Sequence, residues 1–273
     1  MSRDERISME RPERSAEIVG YVRCRTRIMF IQTTSQYYQS SLLASISPIT
    51  HGFSMRTLGD MRKDEKRQDF LTLLSCESKY LKMGEQVHGS NITPVTLSSE
   101  SQSSKTDGLL AKRNGGETRN LSIGVIVADC VPLLLSDRLG NVIAAIHAGW
   151  KGTMSNNAGK AVGHIVACGI SPSDIVVAIG PRIGMCCYDI PEDRAKQFQL
   201  LFGDDHQAIN ENNGRWYADL GYMNVRQLVS AGVPRVNIDI VPMCTSCQIN
   251  RFYSYRKDTK ETFGEILGVI AFQ

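Results

Sequence analysis

A nearly uninterrupted apolar block at residues 121–147 constrains the fold of this chain more than any other feature. The block contains two runs rich in valine, isoleucine and leucine, LSIGVIVADC and VPLLLSD, and a third run, NVIAAIH, follows the segment DRLGN. Short apolar runs bounded by turn residues predict buried β-strands. The block therefore predicts core strands, with an antiparallel hairpin formed around the DRLGN turn.

Helices and further strands follow this block in an irregular order. A helix is predicted over 153–168, ending before Gly169. Its buried face is expected to contain Ala158, Val162, Ile165 and Val166. The segments PEDRAKQFQLLFG and GYMNVRQLVSAG predict two more helices, and DIVVAIG, RWYADL, VNIDIVP and GEILGVIAF predict strands. We therefore expect a single α/β (α+β) domain with a mixed β-sheet and flanking helices.

The first 25 residues are rich in arginine, contain several acids, and lack the apolar segment of a secretory signal. We expect a disordered N-terminal extension at 1–25, followed by one domain at 26–273, in a cytoplasmic protein whose thiols stay reduced. The net charge of +3 argues against nucleic acid as a partner. No apolar run reaches the roughly 20 residues of a membrane span, and nothing in the sequence indicates an oligomeric state.

Two reactive side chains stand at matching ends of the predicted hairpin. Cys130 and His147 are centred on position 138.5, within the DRLGN turn at 137–141, so antiparallel pairing would place them nearly opposite one another. Opposed Cβ atoms lie about 4.5–5.5 Å apart. That separation suits two ligands of one metal ion, and it equally suits a thiolate–imidazolium pair.

A catalytic zinc typically has three protein ligands and one open position, so a third ligand is needed. His51 and His88 are the candidates, because each precedes a glycine in an irregular stretch, and spacing leaves both open. His164 in the predicted helix and His206 in a polar loop are expected to be structural or incidental.

The chain contains eight cysteines at uneven spacing, which does not indicate a disulfide framework. Cys244 and Cys247 form a CxxC pair, but a zinc ribbon would need a second CxxC, so we expect two incidental cysteines. The segment HAGWKG predicts a strand-to-helix connection. Its backbone N–H groups and Lys151 are suited to an anion, although a tight turn with a solvated lysine fits equally well.

Several motifs together resemble the YfiH-type laccase-domain family, first labelled multicopper polyphenol oxidases and now regarded as purine nucleoside phosphorylases. They occur in the family's order across about 48–271: QVHG, ADCVPLLL, AAIHAGWKG, AIGPRIGMCCYDI, ADLGYMNVRQLVSAGV and RFYSYRKD. The resemblance implies one YfiH-like α/β domain and a catalytic zinc held by His88, Cys130 and His147. It thereby selects His88 over His51.

The resemblance also implies substrates and a reaction. Family activity is the phosphorolysis of adenosine, inosine, guanosine and methylthioadenosine to free base and (methylthio)ribose 1-phosphate, and adenosine deamination is also attributed to the family. The chain departs from the family pattern in FSMRTLGD, which lacks the usual threonine and paired glycines but keeps Arg56. It also has Lys151 where the family usually has arginine. Lysine keeps the positive charge but lacks the planar guanidinium that donates two parallel hydrogen bonds to one anion.

The leading hypothesis is a zinc-dependent purine nucleoside phosphorylase, with purine nucleosides and phosphate as its ligands and Arg56, Lys151 and Arg256 as candidate phosphate-binding residues. A copper-dependent polyphenol oxidase is an alternative, although a multicopper centre needs more than the five histidines present. A thiol hydrolase, with Cys130 as nucleophile and His147 as base, is a second alternative. A purely structural zinc would require a fourth protein ligand.

Overall fold

Two large β-sheets form the centre of the fold. The computed structural model describes residues 8–10, 20–24, 27–32 and 36–273. The nine-stranded sheet contains, in spatial order, β1 (Ser8–Glu10), β2 (Gly20–Cys24), β3 (Arg27–Gln32), β4 (Tyr37–Ser40), β5 (Ile49–Ser54), β18 (Ile266–Phe272), β10 (Ser122–Val127), β6 (Leu81–Gly84) and β8 (Gln102–Ser103). The six-stranded sheet contains β17 (Ile238–Ile240), β13 (Ile175–Ile179), β11 (Val131–Asp137), β12 (Val142–Ala148), β9 (Gly108–Lys112) and β7 (Ile92–Pro94).

Both large sheets combine parallel and antiparallel pairs. In the nine-stranded sheet, β10 pairs antiparallel with β18 and parallel with β6. In the six-stranded sheet, β11 pairs antiparallel with β12, whereas β13 pairs parallel with β17. A small third sheet consists of β14 (Asp189–Ile190), β16 (Arg215–Ala218) and β15 (Ile209–Asn212). The predicted α/β domain with mixed sheets is confirmed.

The apolar block predicted to form core strands has no solvent-facing side because both of its faces are covered. On β11, Leu134 packs towards the nine-stranded sheet with Ile123 and Val125, whereas Leu133 and Leu135 pack on the opposite face. Alternation along the strand places successive side chains on opposite faces. A strand covered on both faces reads as an apolar run rather than as an alternating pattern.

Helices pack against the two sheets. They are α1 (Ser41–Ala44), α2 (Asp64–Leu73), α3 (Trp150–Met154), α4 (Asn157–Ala167), α5 (Glu192–Phe202) and α6 (Leu220–Ser230). Phe70 and Leu71 of α2 pack on the outer face of the nine-stranded sheet. Helices α4, α5 and α6 contribute Ile165, Phe198 and Leu228 to the core on the outer face of the six-stranded sheet.

The helix predicted over 153–168 is wrong in one respect, because two helices occupy that region. Asn156 has a left-handed backbone with φ of 60°, and its side chain accepts a hydrogen bond from Gly159 N. It therefore begins α4 as an N-cap and separates α4 from α3. Ala158, Val162 and Ile165 are buried as predicted, but Val166 is 40% exposed and lies off the buried face.

The strands β1 and β2 fall within the segment predicted to be a disordered extension. The remainder of 1–25, apart from these strands, lies outside the described residues, and the domain boundary at residue 25 stays a prediction. In the described part of the chain, no helix has the length and apolar character needed to cross a membrane.

Candidate metal and substrate site

Three side chains meet at one end of the space between the two large sheets. His147 lies on β12, Cys130 directly precedes β11, and His88 lies in the loop that follows β6. Their ligand atoms all lie within 4.8 Å of one another. The structure therefore brings together the three residues that the family resemblance selected, and this nitrogen–sulfur–nitrogen set is suited to one metal ion.

The hairpin has a different register from the one predicted. β11 and β12 pair Pro132 with His147 and Val131 with Ala148, so the hairpin is centred one residue later in the chain than expected. Continuing the register places Cys130 opposite Gly149 rather than opposite His147. The predicted, nearly opposed pairing was wrong by two residues, and Cys130 lies diagonally across from His147, beyond the end of β11.

Gly149 allows this diagonal approach because it has no side chain. A Cβ atom at this position would lie 3.1 Å from Cys130 Sγ, 3.1 Å from His88 Cδ2 and 3.8 Å from His147 Cε1. Any larger residue would enter the space where the three side chains converge. The glycine of HAGW is therefore part of the site geometry.

Asp107 connects two of the candidate ligands. Its side chain is fully buried, and its Oδ1 lies 2.8 Å from His147 Nδ1. The same carboxylate accepts hydrogen bonds from the backbone N–H groups of Val87, His88 and Gly89, at 3.3, 2.9 and 2.6 Å. It fixes the His147 ring and also holds the loop that presents His88.

The loop carrying His88 is anchored on two further sides. Gln86 donates to the carbonyl of Ile126 and accepts from its N–H, so its amide acts as a strand partner for β10. On the opposite side, Asn157 Nδ2 donates to Gly89 O at 3.0 Å and to His147 O at 3.2 Å. His88 itself has a positive φ of 56°, a conformation that this network supports.

The electrostatics of the pair Cys130 and His147 favour charged forms. Burial alone would raise the pKa of Cys130, but the neighbouring imidazoles of His147 and His88 outweigh burial and lower that pKa to about 7. Burial would lower the pKa of His147, but Cys130 and Asp107 raise it to about 9. These groups can therefore serve either as metal ligands or as a thiolate–imidazolium pair.

A cavity of about 770 Å³ opens beside the three side chains. Its wall includes the aromatic residues Trp150, Tyr188, Tyr255 and Phe263, the cations Arg194 and Arg256, and the acids Asp129 and Glu265. A cavity of this volume accommodates a small-molecule ligand. Aromatic rings, two guanidinium groups and several carboxyl groups beside the convergent nitrogen–sulfur set are suited to a planar, anionic or hydrogen-bonding substrate.

The three cations predicted to bind phosphate lie in different settings. Arg256 lines the cavity, donating its backbone N–H to Asp129 while its side chain bonds Asp189. Lys151 is exposed on α3, with its Nζ 5.5 Å from the centre of the Trp150 ring. The phosphate-binding roles of these two residues stay predictions.

Arg56 has a geometry that favours a structural role over the predicted phosphate contact. Its guanidinium nitrogens donate to both carboxylate oxygens of Asp258, at 3.1 and 2.8 Å, and to backbone carbonyls of the 249–262 segment. The group also stacks over the Tyr253 ring at 4.4 Å. Arg56 is not among the described residues that line the cavity.

The remaining histidines lie away from the site. His51 is buried on β5, where its Nε2 accepts the backbone N–H of Ser40 at 2.8 Å. His164 is exposed on α4, and His206 is exposed in a loop. His51, which the sequence spacing left open as a third ligand, is therefore held within the nine-stranded sheet and away from Cys130 and His147.

Residue patterns alone did not identify Asp107, Asp129, Arg194 or Glu265. Asp129 has a positive φ of 81°, and its carboxylate accepts from Thr245, Ser254 and the backbone of Arg256, which joins three separate segments beside Cys130. Burial raises the pKa of Glu265 in the cavity wall. Asp107 and Glu265 each lie next to the start of a buried strand, a position that marks a sheet end but does not specify a role.

Comparisons with known proteins agree with this geometry. The family described as multi-copper polyphenol oxidoreductase laccase matches residues 55–273. Purine nucleoside phosphorylase YlmD of Geobacillus stearothermophilus is 33% identical over 201 residues, which cover 68% of this chain and 70% of that protein. Adenosine deaminase RL5, from an unknown prokaryotic organism, is 32% identical over 141 residues, or 51% of this chain and 54% of that protein.

A solved structure extends the similarity to nearly the whole fold. The crystal structure of Bacillus licheniformis hypothetical protein YfiH matches with a TM-score of 0.79 and 25% sequence identity. The match covers 89% of this chain and 99% of that chain.

Proposed function

The chain belongs to the multi-copper polyphenol oxidoreductase laccase family, and from this premise we propose that it is a zinc-dependent purine nucleoside phosphorylase. The resemblance to YfiH-type proteins inferred from the motifs is confirmed by the sequence and structure matches. The observation that carries the proposal is the position of the three convergent side chains on the wall of a cavity that also holds two guanidinium groups, aromatic rings and carboxyl groups.

We assign the zinc to His88, Cys130 and His147. The donor set fits zinc, because thiolate and imidazole are preferred ligands of this ion and three protein ligands leave one position open. Asp107 occupies Nδ1 of His147, which leaves Nε2 as the nitrogen available to a metal. When bound there, zinc supplies Lewis-acid polarisation of a substrate oxygen.

Phosphate is assigned to the wall formed by Arg194 and Arg256. The Arg194 guanidinium stacks over the Trp150 ring at 4.1 Å, and that of Arg256 lies 5.6 Å from the centre of the Tyr188 ring. Stacking holds a guanidinium in a plane from which its N–H groups can donate to a phosphate, and Arg256 would do so beside the hydrogen bonds that it already makes to Asp189. Lys151, on the neighbouring helix α3, is a further candidate for this anion.

Glu265 is assigned as the proton donor to the departing purine. In phosphorolysis, a phosphate oxygen forms a bond to C1′ of the ribose while the bond from C1′ to the purine nitrogen breaks and its electron pair moves to the base. The base then takes up a proton. Because burial raises the pKa of Glu265, a larger fraction of this carboxyl is protonated near neutral pH than for an exposed glutamate.

The proposed substrates are adenosine, inosine, guanosine and methylthioadenosine, which yield free base and (methylthio)ribose 1-phosphate. Adenosine deamination is proposed as a second reaction of the same site, supported by the relative named adenosine deaminase RL5. A carboxyl group beside a zinc site is the arrangement that zinc deaminases use for proton transfer. Three carboxyl groups line the cavity; Asp129 already accepts three hydrogen bonds and Glu85 is exposed, so we assign this role to Glu265.

A thiol hydrolase is a second candidate function, because the lowered pKa of Cys130 and the raised pKa of His147 also describe an activated nucleophile and its base. Metal analysis of protein purified without added metal separates the two. Near-stoichiometric zinc that is lost from this site in Cys130→Ala supports the phosphorylase, whereas metal-free protein with full activity supports the hydrolase.

The deciding experiment is a panel of purine nucleosides assayed without oxygen, with and without phosphate, while free base and ribose 1-phosphate are quantified. We expect the two products in equal amounts and only when phosphate is present. An activity that stops without oxygen would indicate the copper-dependent polyphenol oxidase instead. No phosphate-dependent cleavage of any nucleoside would overturn the proposal.

A further inference from the structure

A second group of four cysteines gathers outside the site described above. The sulfur atoms of Cys186, Cys187, Cys244 and Cys247 all lie within 4.8 Å of one another. Cys247 Sγ lies 3.3 Å from Cys187 Sγ and 3.5 Å from Cys186 Sγ. Cys244 and Cys247 therefore have thiol neighbours, but these come from an adjacent Cys–Cys pair rather than from the second CxxC that a zinc ribbon requires.

Backbone contacts hold the two cysteine pairs face to face. A β-bridge joins Arg182 to Cys244, and Thr245 N donates to Arg182 O at 3.0 Å. Each pair then lies on a tight turn, closed by Cys187 N to Gly184 O in one segment and by Gln248 N to Cys244 O in the other. The four thiols are thus brought together by the backbone itself.

One backbone N–H already points at a sulfur atom. Gly184 N donates to Cys244 Sγ at 3.2 Å. Hydrogen bonds from backbone amides stabilise negative charge on sulfur, as a thiolate ligand requires. A side chain at Gly184 would crowd this contact, because a Cβ there would lie 3.3 Å from Cys244 Cβ and 3.4 Å from Cys186 Sγ.

We propose that Cys186, Cys187, Cys244 and Cys247 form a second metal site, which binds one zinc ion through four thiolates. With a zinc–sulfur bond of about 2.3 Å, the sulfur atoms of a tetrahedral site lie about 3.8 Å apart. The sulfur of Cys247 lies 3.3 and 3.5 Å from those of Cys187 and Cys186, and no two of the four sulfurs are more than 4.8 Å apart, so the group is compatible with that value. The thiolates of a four-iron cluster bind four different iron atoms and lie further apart, so the spacing selects a single ion.

Disulfide bonds do not account for the group. All four cysteines are free, and the 3.3 Å between Cys187 Sγ and Cys247 Sγ is far longer than the roughly 2.05 Å of a disulfide. Four protein ligands leave no open position, so this zinc is structural rather than catalytic. Its place in the fold indicates what it stabilises.

The four-cysteine site joins two segments that support the substrate cavity. Ile183 and Tyr188, which flank the first cysteine pair, line the cavity. Thr245, which lies within the second pair, donates to Asp129 at 2.5 Å, and Asp129 directly precedes Cys130. A metal ion at the four cysteines would therefore fix one cavity wall and the segment that presents Cys130.

The test is the zinc content of full-length protein purified anaerobically without added metal. We expect about two zinc ions per chain in the wild type and about one in Cys247→Ser, since Cys247 contacts both members of the other pair. Cys130→Ser is expected to retain the zinc of the four-cysteine site. Cys168→Ser, a change at a partly buried cysteine outside both groups, is the matched control and should retain both ions.

Cobalt replacement identifies which site is lost. Four of the five cobalt–thiolate bonds would belong to the four-cysteine site, so Cys247→Ser should remove about four-fifths of the thiolate-to-cobalt absorbance. Cys130→Ser should remove about one-fifth. One zinc per chain in the wild type, with cobalt absorbance unchanged in Cys247→Ser, would overturn the proposal.

Thiol alkylation of the wild type provides a measurement that does not depend on a variant's folding. Cys186 and Cys247 are exposed, so without a metal they should react quickly. We expect all four thiols to be protected until a chelator is added, as mapped by peptide mass spectrometry. Rapid alkylation before chelation, or disulfides among the four, would contradict a metal site. These readouts are independent of nucleoside phosphorolysis, so the two proposals fail separately.

Discussion

Asp107 Oδ1 lies 2.8 Å from His147 Nδ1, and the same buried carboxylate accepts the N–H groups that hold the His88 loop. One residue thereby orients two ligands that are 59 positions apart in the chain. Carboxylate partners of metal-binding histidines fix the ring and its tautomer. Because Asp107 directly precedes β9, the position of this strand determines where the His147 ring and the His88 loop are held.

We expect Asp107→Asn to weaken zinc binding at His88, Cys130 and His147 by about 10–100-fold. The amide replaces one acceptor oxygen by a donor, so it cannot accept all the hydrogen bonds that the two carboxylate oxygens accept from His147 and from the loop. The measurement is competition with a chelator of known affinity. Asp137→Asn is the matched control, because Asp137 is a buried carboxylate that accepts backbone N–H groups at the DRLGN turn. Equal zinc affinity in both variants would contradict the role of Asp107.

Glu265→Gln tests the proton donor. We expect kcat for phosphorolysis to fall by about 100–10,000-fold, because glutamine cannot donate a proton to the departing base. In the wild type, kcat should fall as pH rises through the raised pKa of Glu265, since the protonated form is then lost. Glu261→Gln, at an exposed glutamate of the same segment, should leave the profile unchanged. If Glu265→Gln keeps the wild-type kcat and shows the same fall in kcat at high pH, Glu265 is not the proton donor.

Arg194→Gln tests the phosphate wall. Loss of a charge-assisted contact of about 1.5–3 kcal/mol should raise the KM for phosphate by about 10–100-fold while the KM for the nucleoside changes little. Lys196→Gln is the control, because Lys196 lies on the same helix α5 but pairs with Glu192 at the surface. If the KM for nucleoside rises as much as that for phosphate, Arg194 has a different role.

Arg56→Gln is expected to affect stability rather than phosphate binding. Its guanidinium pairs with Asp258, whose side chain is only 2% exposed, so the variant leaves that carboxylate without its cation. We expect the free energy of unfolding to fall by about 1–3 kcal/mol, measured by urea denaturation at neutral pH. A raised KM for phosphate with unchanged stability would support the phosphate role predicted from the sequence instead.

The strand pattern predicted much of the fold and two of the three ligands. Buried strands are recognisable in a sequence as apolar runs. The turn between two of these runs predicted that Cys130 lies near His147. The register was missed because it depends on the pairing of Pro132 with His147, which the turn sequence does not specify. The break at Asn156 was missed because one left-handed residue can interrupt an otherwise helical pattern.

The rest of the site depends on contacts between distant segments. Asp107 meets His147 across the pairing of β9 with β12, and Cys187 meets Cys247 across 60 positions. Neither spacing has a sequence signature, since loops of any length can separate segments that become neighbours in a sheet. Local patterns therefore predicted strands and hairpins, whereas the carboxylate partner and the four-cysteine group needed the three-dimensional fold.

His51 makes stability depend on pH independently of the metal sites. Burial lowers its pKa from 6.5 to about 3, and its Nε2 accepts the backbone N–H of Ser40, so the folded protein holds it neutral. The unfolded chain binds a proton at His51 below pH 6.5, whereas the folded chain does so only near pH 3. The stability that neutral His51 contributes is therefore complete above about pH 6.5 and is lost as pH falls towards 3.

At pH 5 this loss should be about 2 kcal/mol relative to pH 7.5. His51→Gln keeps an acceptor for Ser40 N but does not titrate. Between pH 7.5 and pH 5, its free energy of unfolding should therefore fall by about 2 kcal/mol less than that of the wild type. The measurement is urea unfolding of chelator-treated protein at pH 5 and 7.5, which removes any contribution of bound metal. His164→Gln changes an exposed histidine on α4 and should keep the wild-type difference. If His51→Gln also shows the full wild-type difference, the buried imidazole is not its source, and the acid sensitivity belongs to carboxylates elsewhere in the fold.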